Sequence, residues 1–538
     1  MKQILLVVAF LISLNSCSYG QRNATPAMHK VNMAMFAIEN RYVDPVSSDK
    51  LAEDAIIAIL KKLDPHSSYA TPEEVKELNE SLQGNFEGIG VQFNMLTDTL
   101  YIVQVIPGGP SEKVGIMAGD RIIYVGDTLI AGVGKKNTDI VKMLKGPKGT
   151  VVNIKVLRNK NPQLIDFRIT RDKIPTFSLD AAYMLDKKTG YIKLNRFAAT
   201  SFSEFMEALE KLKKQGMENL IFDLQSNGGG YLEAAIEISN EFLKQGSLIV
   251  YTDGIHQGRN EAKASKNGGF TKGKLIVLVD EYSASASEIV SGAVQDWDRG
   301  IIVGRRTFGK GLVQAPIPLS DGSMIRLTTA RYYTPTGRSI QKPYENGDLE
   351  SYNKDLVERY NHGEMISADS IHFPDSLKYN TLLNKRIVYG GGGIMPDYFI
   401  PLDTMRLTKI HRQINAAGLI SRYIMRYVDV NRINIQSNYK LFSDYKNKFI
   451  VTESMLNNLL KMYEEDQKDS DFKLTEEDKS DFEKSKLLLQ MQIKAYIASD
   501  LYERGDYYEI INELNDPLKK AIELMNNPEE YDKLLNGK

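Results

Sequence analysis

The chain is poor in the residues that staple or metallate a fold. One cysteine, Cys17, in 538 residues allows no internal disulfide, so stability must come from packing. Histidine is scarce as well: His29, His66, His256, His362, His372 and His411 are the whole set. No His-Glu-x-x-His run and no cysteine pair is present, so no metal site is expected. A Ser-His-Asp triad built from distant segments has no signal, and His66 in Asp64-Pro65-His66-Ser67 reads as part of a helix stop. Net charge is lacking too. With 69 acidic residues against 68 basic ones, for −1 at pH 7, there is no global basic field to argue for nucleic acid or anionic membrane. The N-terminal apolar run, Ile4 to Leu14, has eleven residues where about twenty are needed to span a bilayer.

That run does suit an export signal. Lys2 supplies the positive end, and small residues follow at Ser16, Ser18 and Gly20, so residues 1–20 are set apart from the fold. Leu14-Asn15-Ser16-Cys17 resembles a bacterial lipoprotein cleavage box. Two outcomes stay open: removal of residues 1–16 with Cys17 lipidated, or cleavage near Gly20 and release of a soluble protein. Either one exports the chain to a bacterial periplasm or cell envelope.

Hydrophobic residues at 42% and charged ones at 25% are ordinary globular values, and the length implies two to four domains. Residues 24–83 carry helical spacing, for example Leu51, Ala55, Ile56, Ile59 and Leu63, and Thr71-Pro72-Glu73-Glu74 reads as the start of a helix. Residues 84–172 shorten to period two in Ile89-Gly90-Val91-Gln92-Phe93 and in Val151 to Val156, which predicts a β-rich module. Residues 173–401 alternate strands and helices, which predicts an α/β core. Within them the polar tracts Asp253–Gly273 and Gln341–Asn384 lack periodicity and read as loops or insertions. Residues 402–538 are charged and helical, with Leu487, Leu488, Met491, Ile493, Tyr496, Ile497 and Leu501 on a face that should pack against something.

The chemistry concentrates in Leu275 to Gln314. An apolar strand runs into Ser283-Ala284-Ser285-Ala286-Ser287-Glu288, where a helix start offers N–H groups and a favourable dipole to an oxyanion. Ser285 to Glu288 also fits a capping box, and Ser283 and Ser287 are further candidates by local pattern. Lys310 lies between Gly309 and Gly311, with Gln314 four residues on; in an extended chain both project to one face, so the amide can orient the amine. A lysine is a base only when neutral, and from a reference pKa of about 10.4 it needs burial to become so. Asn227-Gly228-Gly229-Gly230 between a strand and a helix can hold an oxyanion, hold a phosphate or simply turn the chain. Gly304 to Gly311 has P-loop spacing, but Gly311 stands where Ser or Thr would hold magnesium.

The module at Gly88-Ile89-Gly90-Val91, followed by Ile106-Pro107-Gly108-Gly109-Pro110 and Gly119-Asp120, resembles a PDZ domain. Its glycines let backbone N–H groups converge on a carboxylate, and a strand edge can take up a peptide. The run Leu63 to Tyr69, this module, Asp223 to Leu232, Ser283 to Gly292, Thr307 to Gln314, Tyr333 to Gln341 and Gly390 to Asp397 occur in the order found in the C-terminal processing peptidases, or tail-specific proteases, which the chain closely resembles from Val31 to Pro401. The resemblance implies an α/β crotonase-like protease core with an inserted PDZ domain. It implies Ser285 as nucleophile, Lys310 as general base, Gln314 as its orienter, and an oxyanion hole from Ala286 and a glycine of the turn, Gly229 or Gly230. The implied partners are proteins with accessible C-termini, bound at Gly88 to Val91, with no cofactor; a homo-oligomer is compatible with the sequence. The rival expectation is a catalytically silent PDZ scaffold at the cell surface.

Overall fold

The computed structural model describes residues 25–96, 98–158, 163–467 and 474–537; the expected export signal and Cys17 lie outside them. The chain divides into two compact units, one formed by residues up to Pro72 with Pro316–Leu327 and Tyr344–Tyr352, the other by everything else. In the first, helices Pro26–Arg41 and Ser48–Leu60 precede strand Ser68–Ala70, which pairs antiparallel with residues 324–326. Asp64 accepts from the backbone of His66 and Ser67, and His66 Nε2 bonds the Tyr352 hydroxyl at 2.8 Å. His66 therefore belongs to a turn, as Asp-Pro-His-Ser suggested.

The second unit holds the chemistry. Its central sheet runs Leu179–Met184, Thr189–Leu194, Asn219–Asp223, Leu275–Val279, Ile301–Gly304 and Tyr398–Phe399, parallel after the first antiparallel pair. Helices Ser201–Lys214, Leu232–Phe242 and Ala286–Asp296 provide crossovers. Strands covered on both faces need apolar residues at every position, which is why Leu275–Val279 reads LIVLV and is buried throughout. Alternate residues serve alternate faces. Leu275, Val277 and Val279 join the crossover helices, with Phe205, Phe222 and Phe242 among them.

Ile276 and Leu278 face the other way, with Ile221, Ile301 and Val303, onto Leu518, Ala521, Leu524, Met525 and Tyr531. These belong to helices Asp516–Asn526 and Pro528–Asn536, so the end of the C-terminal extension closes the second face of the central sheet. The rest of the extension has its own core, in which Val428, Tyr445, Leu456, Leu489 and Ile493 meet.

The β-rich module is an antiparallel sheet in the order Val91–Leu96, Thr99–Val105, Arg121–Val125, Val151–Leu157 and Ile165–Thr170, with helix Asn137–Leu144. It enters and leaves through a two-stranded stem, Asn85–Gly88 against Asp172–Pro175, as an insertion must. The polar tract Gln341–Asn384 contains helix Leu349–Asn361. Its polar sequence gives little periodicity, and its stability comes from tertiary contact. Arg359 is buried and donates to the carbonyl oxygens of Arg306 and Thr307.

Candidate active site

Strand Leu275–Val279 delivers the chain into a tight turn ending at Ser285, the residue before helix Ala286–Asp296. Three serines compete there, and their surroundings separate them. Ser283 is fully buried and donates to Leu224 O at 2.8 Å while accepting from Asp280 N. Ser287 is fully buried and donates to Asn227 O at 2.8 Å. Both hydroxyls are spent binding the start of the glycine turn to the turn that carries Ser285. Ser285 is only part-buried and has φ 54°, ψ −111°, a conformation costly for any residue with a Cβ and typical of residues held for function.

The turn Gln225 to Gly230 is fastened to the same place. Asp280 accepts from Ser226 N at 2.8 Å and from its hydroxyl at 3.0 Å, and Ala284 N donates to Asn227 O. A Cβ on Gly229 would lie 2.8 Å from both Ala284 O and Ser285 Cβ, so only glycine lets the two turns meet. The N–H of Gly229 donates to Asn227 Oδ1 at 2.9 Å. In this structure the Gly229 N–H is thus held by Asn227, and its lack of a side chain is what allows the close approach. Gly230 packs on Phe197, whose carbonyl oxygen would be 2.0 Å from an added Cβ. Ala286 N stands in the first turn of the helix, 3.0 Å from the point where a Gly229 Cβ would be.

Lys310 is held by its backbone on every side. Gly309 O accepts from Lys342 N, Gly311 O accepts from Tyr332 N, and the Tyr332 hydroxyl donates to Lys310 O. A Cβ at Gly309 would press Lys342 and Gly393, and one at Gly311 would press Gln341 N at 2.8 Å, so the Gly-Lys-Gly spelling is a packing requirement. Lys310 itself is part-buried. Gln314 lies on strand Leu312–Pro318 and donates its amide to Leu312 O at 3.1 Å and Thr328 Oγ1 at 3.4 Å. The neighbouring buried Lys342 is paired with Asp355 at 2.8 Å, which sets it apart from the base role.

The residue that joins these parts is Glu288, fully buried in the first turn of the helix. Its Oε2 accepts from Ser285 N at 2.8 Å and from Lys310 N at 2.9 Å; its Oε1 accepts from the Thr307 hydroxyl at 2.6 Å and Gly309 N at 2.7 Å. One oxygen thus stands a hydrogen bond from both backbones. Burial pushes the carboxyl up to about 7, against the pull of those four donors. The sequence marked Glu288 only as a helix cap, because its other partners lie some twenty residues on. Asp280 was missed altogether, and its position at the end of the buried strand was the available signal.

At the module, Ile89 is buried and its carbonyl oxygen accepts from Ser111 N and Oγ. Gly90 has φ 77° and meets Ile174 and Pro110, Gly88 ends the stem strand, and Val91 starts the strand at the end of the sheet order. Among the described residues no group of three His, Cys, Asp or Glu could hold a metal ion, no histidine bonds Ser285, and no helix is long and apolar enough to cross a membrane.

Residues 188–350 match the model of peptidase family S41, residues 88–169 that of the PDZ domain, and residues 410–503 that of a family of unknown function (DUF8443). The carboxy-terminal-processing protease of Bartonella bacilliformis is 35% identical over 342 residues, 63% of this chain and 77% of that protein. The carboxy-terminal processing protease CtpA of Bacillus subtilis is 34% identical over 363 residues, 65% of this chain and 77% of that protein. Among solved structures, a photosystem II D1 C-terminal processing protease is 29% identical, covering 58% of this chain and 89% of that one, with a TM-score of 0.33. By this kinship the chain belongs to peptidase family S41, as a serine-type, PDZ-bearing protease of the carboxy-terminal-processing kind.

Proposed function

We propose that this peptidase works through a Ser285–Lys310 dyad and cuts exported proteins near their C-termini, with the substrate tail held by the PDZ module. The observation that carries the reading is the Glu288 carboxylate, whose single oxygen accepts from the backbone N–H of both residues and so fixes nucleophile and base to a common point. A neutral Lys310 amine takes the Ser285 proton as Oγ attacks the scissile carbonyl carbon. The oxyanion is met by Ala286 N–H at the helix start and by Gly229 or Gly230 of the opposing turn. Collapse breaks the C–N bond, and Lys310 returns the proton to the leaving amine. Water, deprotonated by Lys310, then releases the acyl group from Ser285. Because the Gln314 amide hydrogens go to Leu312 and Thr328, its Oε1 is the end suited to orient the lysine.

Tail capture rests on Val91–Leu96, which is paired on one side only within its sheet and can take an extended peptide on the other, carboxylate toward Gly88 to Gly90. Export and, at Cys17, lipidation complete the proposal. Ser285→Ala and Lys310→Ala should each abolish cleavage of a substrate with a disordered tail while leaving the fold intact; full cleavage by either overturns the dyad. Comparing protein C-termini from wild-type and Ser285→Ala cells identifies the substrates.

A further inference from the structure

Tyr101 lies between Leu100 and Ile102 on its strand, and those two face the interior of the PDZ module. Tyr101 therefore points out of the opposite face, where solvent is expected. It is nevertheless fully buried. What covers it is the C-terminal extension: helix Leu419–Asn438 touches strand Val91–Leu96, Asp429 pairs at 2.5 Å with Arg121, whose guanidinium lies over the Tyr101 ring, and Arg432, itself paired with Asp500 at 2.6 Å, faces the Tyr101 hydroxyl. Arg121 is directly opposite Tyr101 in the sheet, so the contact is a row across the module's outer face.

The same extension is anchored at its other end to the protease sheet. Helix Glu476–Leu501 carries Asp500 at its close. Four residues later Arg504 pairs with Asp180 at 2.9 Å, and the Tyr508 hydroxyl donates to the same carboxylate at 2.7 Å. Asn512 reaches Tyr183, and Asn515 donates to Gln225 Oε1 at 3.0 Å, next to the Ser226–Gly230 turn that faces Ser285. Covalently, the PDZ module is joined to the core only through its two-stranded stem, about which an unsupported insertion would pivot.

We propose that residues 410–515 are a strut that fixes the PDZ module relative to the protease core, with Asp429, Arg432 and Asp500 as its latch on Tyr101 and Arg121. The extension then sets how a captured tail is presented to Ser285, an inference that rests on the capture reading above. Of its contacts the Arg121–Asp429 pair, a quarter exposed on each side, is the one that can open, since such pairs are individually weak whereas a reversed charge there is strongly repelled.

The test uses the full chain with Asp429→Arg, Arg121→Asp and the two combined. Hydroxyl-radical footprinting reads exposure of Tyr101, and a small serine-reactive probe reads the state of Ser285. Each single reversal should make Tyr101 reactive and lower kcat/KM for a tailed substrate by about tenfold or more, with probe labelling of Ser285 unchanged. The double swap should restore both protection and cleavage. If Tyr101 stays protected in the single variants, the latch is wrong; if it opens and tail cleavage is unaffected, the strut does not position the module. Absence of Ser285 labelling in the wild type would instead defeat the dyad, while the footprint would still decide the docking.

Discussion

Replacing Glu288 by Gln tests whether a buried carboxylate positions this site. The substitution keeps the shape and one carbonyl oxygen but turns the other oxygen into an NH₂ group. Either orientation faces two donors: Ser285 N and Lys310 N, or the Thr307 hydroxyl and Gly309 N. Two buried donors left without an acceptor cost about 1–3 kcal/mol each, or roughly 2–6 kcal/mol together. A displacement of about 1 Å between nucleophile and base costs about a hundredfold in rate. Glu288→Gln should therefore lower kcat by about a hundredfold or more with little change in KM. The ionised carboxylate is the form able to accept from all four donors, so wild-type kcat should rise with pH through about 7, where burial has pushed this group. That inflection should vanish from the residual rate of Glu288→Gln. Stability runs in the opposite sense. The folded carboxyl is raised above its ordinary 4.5, so the folded chain keeps a proton that the unfolded chain releases, and stability falls as pH rises from about 4.5 to about 7. Steady-state kinetics from pH 5 to 9 with calorimetric melting reads both, and wild-type kcat in the Gln variant would refute the positioning role.

Ser285→Gly should be inactive yet more stable by about 1 kcal/mol in chemical denaturation, because it relieves a positive φ. Ser283→Ala should be destabilised by about 1–2 kcal/mol while Ser285 still reacts with a serine probe, since its hydroxyl only ties two turns together. Gly229→Ala should lose cleavage, because its Cβ would collide with Ala284 and Ser285; normal kinetics would show that the turns can separate. Deleting residues 516–538 uncovers one face of the central sheet. The buried Leu518, Leu524, Met525 and Tyr531 contribute about 1.5–3 kcal/mol each, comparable with the whole stability of a domain, so circular dichroism should find the truncated chain unfolded or aggregated.

The α/β core was legible because Leu275–Val279 is apolar at every position and is followed by a helix signal. Ser285 and Lys310 stand out in the sequence as candidates because the glycines and serines around them are unusual. What escaped was tertiary. Glu288 gave its capping pattern away, but its bonds to Thr307, Gly309 and Lys310 depend on a strand and turn folding back beside it. The donor state of Gly229 depends on the orientation of the Asn227 side chain, which no spacing reveals. In helix Leu349–Asn361 the partners of Arg359 are carbonyls some fifty residues earlier, which no local spacing reveals. The extension offered an apolar face in need of a partner, but a sequence does not say that its last helices close the protease sheet or that Arg432 reaches Tyr101.

The central claim, that Ser285 is the nucleophile and Lys310 its base, is tested most directly by locating the adduct of a serine-reactive covalent probe by mass spectrometry in the wild type and in Lys310→Ala. The account predicts modification of Ser285 in the wild type and its loss in the lysine variant. An adduct on a different serine, or undiminished Ser285 labelling in Lys310→Ala, would contradict it.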